Sequence, residues 1–300
     1  MTVRYVRPMS HSAYAARRIG LAALVLFVLA VLAHRFGPLR TPDFLALVLL
    51  SAAIAAAAVP LALLGLVRLW QKGAEGGIAS AKALVYAGIP LGVVVLGTVL
   101  YLTRPPLHDV STDVEDPPAF LTQPDHDQQW LVQPAASILA DRRAQAEAYP
   151  GLVGRRYEGA LDRVFEGVEA AALSARIEVL QRDGAELMEP QEAPPAEGLP
   201  PEEDDPLSMD SVPVPMPRPE PLLAAPVFSA SDVLLQGETR TLLLGLPFDV
   251  VIRLREDAET TSVDVRVASR YGSHDLGLSA MIADDFLKRL DAELLGIAGG

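Results

Sequence analysis

Three long runs without a charged side chain, all in the first third of the chain, constrain the fold more than any other feature. They cover residues 19–33, 44–67 and 83–102. The second and third are long enough to cross the ~30 Å hydrocarbon core of a bilayer as helices. The first is shorter, and we expect the flanking Arg17, Arg18 and His34 to reach the membrane surface from within the helix. The sequence therefore predicts three transmembrane helices at about 19–34, 44–69 and 83–102.

A cleaved signal peptide is the alternative interpretation of the first run. Val31 and Ala33 place small residues at the spacing of a cleavage site before His34. A membrane anchor is favoured, because the run is long for the apolar part of a signal peptide and a second apolar run follows closely.

Small residues within the runs suggest close packing between the helices. Gly88 and Gly92 are four residues apart, and Ala53 and Ala57 show the same spacing. The second and third runs contain no Asp, Glu, Lys, Arg or His. An ion or proton path normally needs such groups, which argues against a transporter or channel.

Charge divides the chain into two parts. Up to Arg104 there are ten Arg and Lys against two acids, whereas the remainder has fifteen against thirty-six. This division is typical of a membrane region followed by an acidic soluble region. The acidic excess disfavours nucleic acid and anionic lipid headgroups as partners. The chain has no Cys, which excludes disulfides, thiolate metal sites and a cysteine nucleophile.

The distribution of basic residues predicts the orientation of the chain in the membrane. Seven of the ten Arg and Lys lie in the basic arm, residues 1–18, or between residues 68 and 82. Because loops rich in Arg and Lys stay on the cytoplasmic side, we expect a cytoplasmic N-terminus and an exported C-terminal region. The expected location is the bacterial inner (plasma) membrane, with several spans and a periplasmic domain.

Residues 105–149 are expected to form an acidic juxtamembrane linker. The stretch contains Asp109, Asp113, Glu115 and Asp116, followed by two prolines. A calcium loop is the alternative, but a glycine at the turn and a closing glutamate are both missing. We therefore expect a solvated, extended segment that holds the next domain away from the bilayer. His126 is expected to be solvated, and we predict neither a metal site nor a cofactor.

The remaining sequence predicts a two-layer α+β domain, made of residues 150–189 and 227–300. A helix at 157–175, four strands at 177–181, 233–244, 248–255 and 262–269, and a last helix capped by Ser279 and ended by Gly296 indicate helices on one face of a small antiparallel sheet. Across the last hairpin, Arg253 and Asp264 are expected to pair. Residues 190–226 contain twelve prolines and eight acids, which predicts a disordered insert.

The stretch SVDVRVASRYGSHDLGLS resembles the C-terminal signature of a bacterial and plastid family, the domain of unknown function numbered 1499. Its matching positions are Ser269, Arg270, Gly272, Asp275, Leu276 and Gly277, whereas Ser279 stands where the family usually has Asn. Residues 108–118 are similar to the start of the domain in membrane-anchored members, so the likeness runs from about residue 108 to the C-terminus. The resemblance implies an envelope location and no particular activity.

The loop of this signature is the candidate site. His274 and Asp275 are candidate catalytic residues for general acid–base chemistry. The structural alternative, which we favour, is an Arg270–Asp275 ion pair that fixes a turn. As a binding site, the loop would use Arg270, Tyr271, Gly272, Asp275 and Gly277.

Three functions remain open at this point. The favoured hypothesis is a binding or scaffold module that recognises an envelope protein or a small apolar ligand. The alternatives are an envelope enzyme that uses the signature loop and a lipid- or pigment-binding module. In the last case, the ligand would lie between the sheet and the final helix, beneath Phe286 and Leu290.

Overall fold

Three long helices open the chain. The computed structural model describes residues 9–133, 139–184 and 232–296; the predicted insert at 190–226 lies outside these residues. Helices α1 (His11–Phe36), α2 (Thr41–Lys72) and α3 (Gly77–Thr103) are each long and apolar enough to cross a membrane. The prediction of a membrane region with three helices is confirmed.

The three helices pack through small side chains. Ala23, Ala55, Ala58 and Ala87 form one fully buried cluster. A Cβ atom added to Gly65 would lie 2.3 Å from the Ser80 hydroxyl, so α2 and α3 approach each other closely there.

The residues that were predicted to pack between the helices do not lie at these contacts. No atom lies within 4 Å of a Cβ added to Gly88 or Gly92, and Ala53 and Ala57 are exposed on the outside of the bundle. The prediction of these packing residues was wrong, because small residues occur on every face of an alanine-rich helix and their spacing does not show which face meets the neighbours.

The C-terminal region is an antiparallel sheet with helices on one face, as predicted. Its elements are β1 (Asp109–Ser111), α4 (Leu139–Ala148), β2 (Arg155–Glu158), α5 (Leu161–Ser174), β3 (Glu178–Asp183), β4 (Val233–Arg240), β5 (Pro247–Asp257), β6 (Thr260–Ser269) and α6 (Leu278–Leu295). The strand order is β1-β6-β5-β4-β3, and β2 also pairs with β6. The predicted α+β layout is therefore confirmed.

The core lies between the sheet and the pair α5 and α6. Val250, Ile252 and Leu254 alternate along β5 and point into it, where they meet Phe286 and Leu290 of α6. All five side chains are almost fully buried. Side chains thus occupy the space between the sheet and the last helix, where the alternative of a lipid- or pigment-binding module placed its ligand.

The β5–β6 hairpin follows the predicted register. Asp257 pairs with Thr260 across a two-residue turn, and Arg253 lies opposite Asp264. The guanidinium of Arg253 is 3.0 Å from the Asp264 carboxylate, so the predicted cross-strand pair is present.

Two of the predicted element boundaries were wrong. Tyr157 belongs to β2, where it pairs with Thr261, because Gly159 at φ 134° breaks the chain before α5 begins. The predicted strand at 233–244 ends at Arg240, and residues 241–246 form a separate turn.

The predicted linker is part of the domain. Strand β1 pairs with β6, and residues 112–126, here called the strap, cross the face of the sheet opposite α5 and α6. Asp113 and Asp116 bind Arg253 at 2.9 and 3.0 Å. Because buried arginines on the sheet need carboxylate partners, the acids that suggested a solvated linker instead attach the strap.

Candidate functional site

The signature loop, residues 269–277, lies against the end of α3. The His274 ring stacks on Tyr101 with 4.7 Å between ring centroids. Its Nδ1 accepts a hydrogen bond from the Leu276 amide at 2.9 Å. The proton therefore sits on Nε2, which is 3.1 Å from the Tyr101 carbonyl oxygen and 3.2 Å from that of Arg104. His274 thus attaches the loop to the membrane region.

A second histidine makes the reverse connection, from the membrane region to the domain. His34, near the end of α1, donates from Nδ1 to the Leu244 carbonyl oxygen at 2.7 Å. Its Nε2 lies 3.1 Å from the Thr41 hydroxyl, and its ring stacks on Phe44. The domain is thereby held to two different helix ends.

Asp275 caps helix α6. Its two carboxylate oxygens accept hydrogen bonds from the amides of Gly277 at 2.8 Å and Ser279 at 2.9 Å. A carboxylate at this position satisfies free amides and complements the helix dipole. The prediction of Ser279 as the cap was wrong: Ser279 lies inside α6 and is fully buried.

The predicted ion pair between Arg270 and Asp275 does not form. Arg270 pairs instead with two acids on the sheet. Glu238 and Asp249 lie directly opposite each other on β4 and β5, an arrangement that is unfavourable for like charges. Arg270 binds Asp249 at 2.7 Å and also contacts Glu238. Burial alone lowers the pKa of Arg270, but hydrogen bonds to these carboxylates outweigh it and raise the pKa. Arg270 is thus a fixed cation that joins the loop to the sheet.

Two further residues of this area come from the strap and the loop. His126 lies 3.7 Å from the Asp249 carboxylate, and its ring is 6.3 Å from that of Tyr271. The residue that was expected to be solvated therefore borders the signature loop. Among the described residues, no group of three or more His, Asp or Glu is arranged to hold a metal ion.

A cleft of about 70 Å³ opens between the loop and the membrane helices. We call it the junction cleft. Its apolar boundary is formed by Leu246, Pro247, Phe248, Leu276 and Leu278, and its polar boundary by Thr41, Ser269, Arg270, Tyr271, His274 and Asp275. The cleft lies where the domain meets the start of α2, and its surroundings combine apolar walls with a few polar groups.

The cleft lacks the geometry for the proposed acid–base chemistry. Both nitrogens of His274 are engaged with backbone groups, and both oxygens of Asp275 cap α6. A general base needs a free atom within hydrogen-bond reach of its substrate. The two residues are adjacent in sequence, yet they serve different structural tasks.

Several residues of the junction could not be found from the sequence. Thr41 lies just before the second apolar run and Tyr101 near the end of the third, where both resemble ordinary interfacial residues. His34 gave a weak signal, since a histidine at the end of an uncharged run is uncommon.

Three membrane-length helices that carry a docked antiparallel α+β domain define a membrane-anchored domain protein. The family model described as "Protein of unknown function (DUF1499)" matches residues 220–290, which include β4, β5, β6 and the signature loop. This region of the chain is similar to that family, as the resemblance implied. The matched range does not include residues 108–118. Comparisons with curated proteins and with solved structures found no match.

Proposed function

We propose that this protein is a non-enzymatic binding module of the bacterial inner membrane. Its N-terminus lies in the cytoplasm, and its domain rests on the periplasmic surface. The domain binds a small amphiphilic ligand in the junction cleft. The observation that carries the proposal is the position of this partly apolar cleft at the level where the helices leave the bilayer.

The arrangement of the helix ends supports this orientation. Ser10 and Glu75 are hydrogen bonded at 2.9 Å, so the start of α1 and the α2–α3 connection lie at one end of the bundle. The domain contacts the opposite end. Basic residues are concentrated at the end away from the domain, among them Arg17, Arg68 and Lys72. The positive-inside tendency then favours a cytoplasmic location for that end.

Single cysteines test the orientation, because the chain contains none of its own. Glu259→Cys, at the far end of the domain, should react in intact cells with a maleimide that crosses the outer but not the inner membrane. Lys72→Cys, at the end of α2, should react only after the inner membrane is opened. The reverse pattern would contradict the periplasmic location.

The ligand is tested by co-purification. The protein is extracted from native membranes in polymer-bounded lipid discs, and the bound lipids and small molecules are identified by mass spectrometry. Leu278→Trp enlarges a side chain at the cleft, whereas Leu180→Trp on β3 makes the same change at an exposed position away from it. We expect one compound to be enriched with the wild type and the control and lost with Leu278→Trp. Identical compounds in all three samples would contradict ligand binding in the cleft.

The enzyme alternative has a separate test. His274→Ala and Asp275→Ala remove the two catalytic candidates, and Asp275→Asn keeps one of the two oxygens that cap α6. Since the proposal assigns structural roles to both, Asp275→Asn should retain the cellular function. Loss of function in a folded Asp275→Asn protein would favour the enzyme.

A further inference from the structure

The turn that joins β4 to β5 carries apolar side chains that the protein does not cover. Leu242 is 65% exposed and Leu243 is 80% exposed. From Thr241 to Phe248 the sequence contains no charged residue. Isolated exposed leucines are common, but two adjacent ones at the tip of an uncharged turn form a surface that water solvates poorly.

The position of this turn is fixed by its contacts with the membrane helices. Leu244 and Leu246 pack against an apolar cluster of α1 and α2 that contains Phe27, Phe44 and Val48. The Leu244 carbonyl oxygen accepts the hydrogen bond from His34. The turn therefore lies beside the helices and not above them.

The level of these contacts corresponds to the edge of the hydrocarbon core. In α1 the uncharged run ends at Ala33, next to His34, and in α2 it begins at Phe44. Since the uncharged parts of the helices define the region that lipid tails surround, the turn sits at the boundary between tails and headgroups. Arg35 lies next to Gly245 of the turn, where its side chain can extend towards the headgroups.

Hydrogen bonds within the protein close the base of the turn. The Gly245 amide donates to the Thr241 carbonyl oxygen at 3.0 Å, and the Thr241 amide donates to the Leu246 carbonyl oxygen at 3.0 Å. The Leu246 amide donates to the Thr241 hydroxyl at 2.9 Å. Backbone groups that enter the bilayer must find partners within the protein, and these three bonds, at the base of the turn, meet part of that requirement.

We infer that the Leu242–Leu243 turn inserts into the lipid bilayer and is a fourth membrane contact of the chain, in addition to its three helices. Its partner is the acyl-chain boundary of the leaflet on the domain's side. The inference holds for either orientation of the chain and is independent of what the junction cleft binds. Insertion of the turn fixes the height of the domain, because the turn is continuous with β4 and β5.

A fluorescent label on single cysteines tests the insertion. Leu243→Cys is labelled with an environment-sensitive NBD group and reconstituted in phosphatidylcholine liposomes, with and without lipids that carry a doxyl quencher on the acyl chain. Glu259→Cys is the matched control, since the two positions lie at opposite ends of β5, about 35 Å apart for an eleven-residue strand.

The expected results differ sharply between the two labels. The label at position 243 should emit at shorter wavelength and lose fluorescence to the doxyl lipids, but not to iodide in the buffer. The label at position 259 should emit as in water and respond only to iodide. Water-like emission and iodide quenching at position 243 would overturn the inference. Shielding of the label at position 243 in native membranes but not in liposomes would also overturn the inference. It would show that a protein partner, and not lipid, covers the turn.

Discussion

Single side chains attach the strap to the sheet, and Arg253 shows how much depends on one of them. Its side chain is 5% exposed and contacts the carboxylates of Asp113, Asp116 and Asp264. Hydrogen bonds from a guanidinium to three acids join two segments that are far apart in sequence. The strap thus depends on a cation that β5 supplies.

Removal of Arg253 should destabilise the domain strongly. Arg253→Met leaves three neighbouring carboxylates without their common partner, and we expect a loss of about 3 kcal/mol in the free energy of unfolding. The matched control is Arg182→Met. In the wild type, Arg182 forms a largely exposed ion pair with Glu169, and its removal should cost less than about 1 kcal/mol. Urea unfolding in detergent measures both, with Trp130 as the fluorophore in a Trp70→Phe background. Equal losses would show that Arg253 has no special role.

Tyr157 stabilises the domain in a way that weakens at alkaline pH. Its hydroxyl donates to Asp291 at 2.7 Å, and burial together with this hydrogen bond raises the pKa of Tyr157 well above its ordinary value of 10.0. The unfolded chain therefore releases this proton at lower pH than the folded chain does. The stabilisation is complete below pH 10 and declines as the pH rises above it.

Tyr157→Phe should remove this pH dependence. Below pH 10 the variant should be less stable than the wild type by about 1–2 kcal/mol, because the hydrogen bond to Asp291 is lost. As the pH rises from 9 to 11, the difference between the two proteins should narrow. Thermal unfolding followed by circular dichroism measures it, and a difference that stays constant with pH would contradict the assignment.

At the level of the element, the β3–β4 pair depends on a glycine. A Cβ atom added to Gly237 would lie 2.4 Å from the Glu178 carbonyl oxygen. The pairing shifts register between Val179 and Gln181, next to this contact. The irregularity brings the two backbones so close that a side chain does not fit.

Gly237→Ala should therefore weaken the edge of the sheet. Since the clash is with backbone, we expect a loss of about 1–3 kcal/mol and faster amide exchange in β3. Gly151→Ala is the control, because no atom lies within 4 Å of a Cβ added there, and it should change stability by less than about 0.5 kcal/mol. Unchanged exchange in β3 of the Gly237→Ala protein would contradict the assignment.

The elements differ in how well the sequence predicts them, for physical reasons. β5, β6 and α6 are long and have a clear apolar period, so their existence and their buried faces were predictable. β1 and β2 have three and four residues, too few for a period to show. The acids of the strap have the same composition as a solvated linker, and only the position of Arg253 on the sheet distinguishes the two. The sequence pointed to the loop as the candidate site but not to the partners of Arg270, which lie on strands 21 and 32 residues earlier.

At the scale of the whole molecule, two histidines connect the membrane region and the domain. His34 of α1 binds the β4–β5 turn, and His274 of the signature loop binds the end of α3. The two contacts involve different helices. In the first, the membrane region supplies the donor, and in the second, the domain supplies it. Together with the packing of Leu244 and Leu246 on the helix cluster, they hold the domain in one position, which gives the junction cleft a defined shape.

Removal of both histidines should loosen this junction without unfolding the domain. In a His34→Ala, His274→Ala protein, we expect amide exchange to increase on the order of tenfold in residues 241–246 and 269–277, because each hydrogen bond contributes roughly 1 kcal/mol. Exchange in β5 and β6 should stay unchanged, since their pairing and core contacts do not involve either residue. His11→Ala, at the exposed start of α1, is the matched control. If exchange in the two segments equals that of the wild type, the histidines do not hold the domain. Docking then rests on other contacts, among them the apolar packing of the turn and the Arg40–Asp127 ion pair.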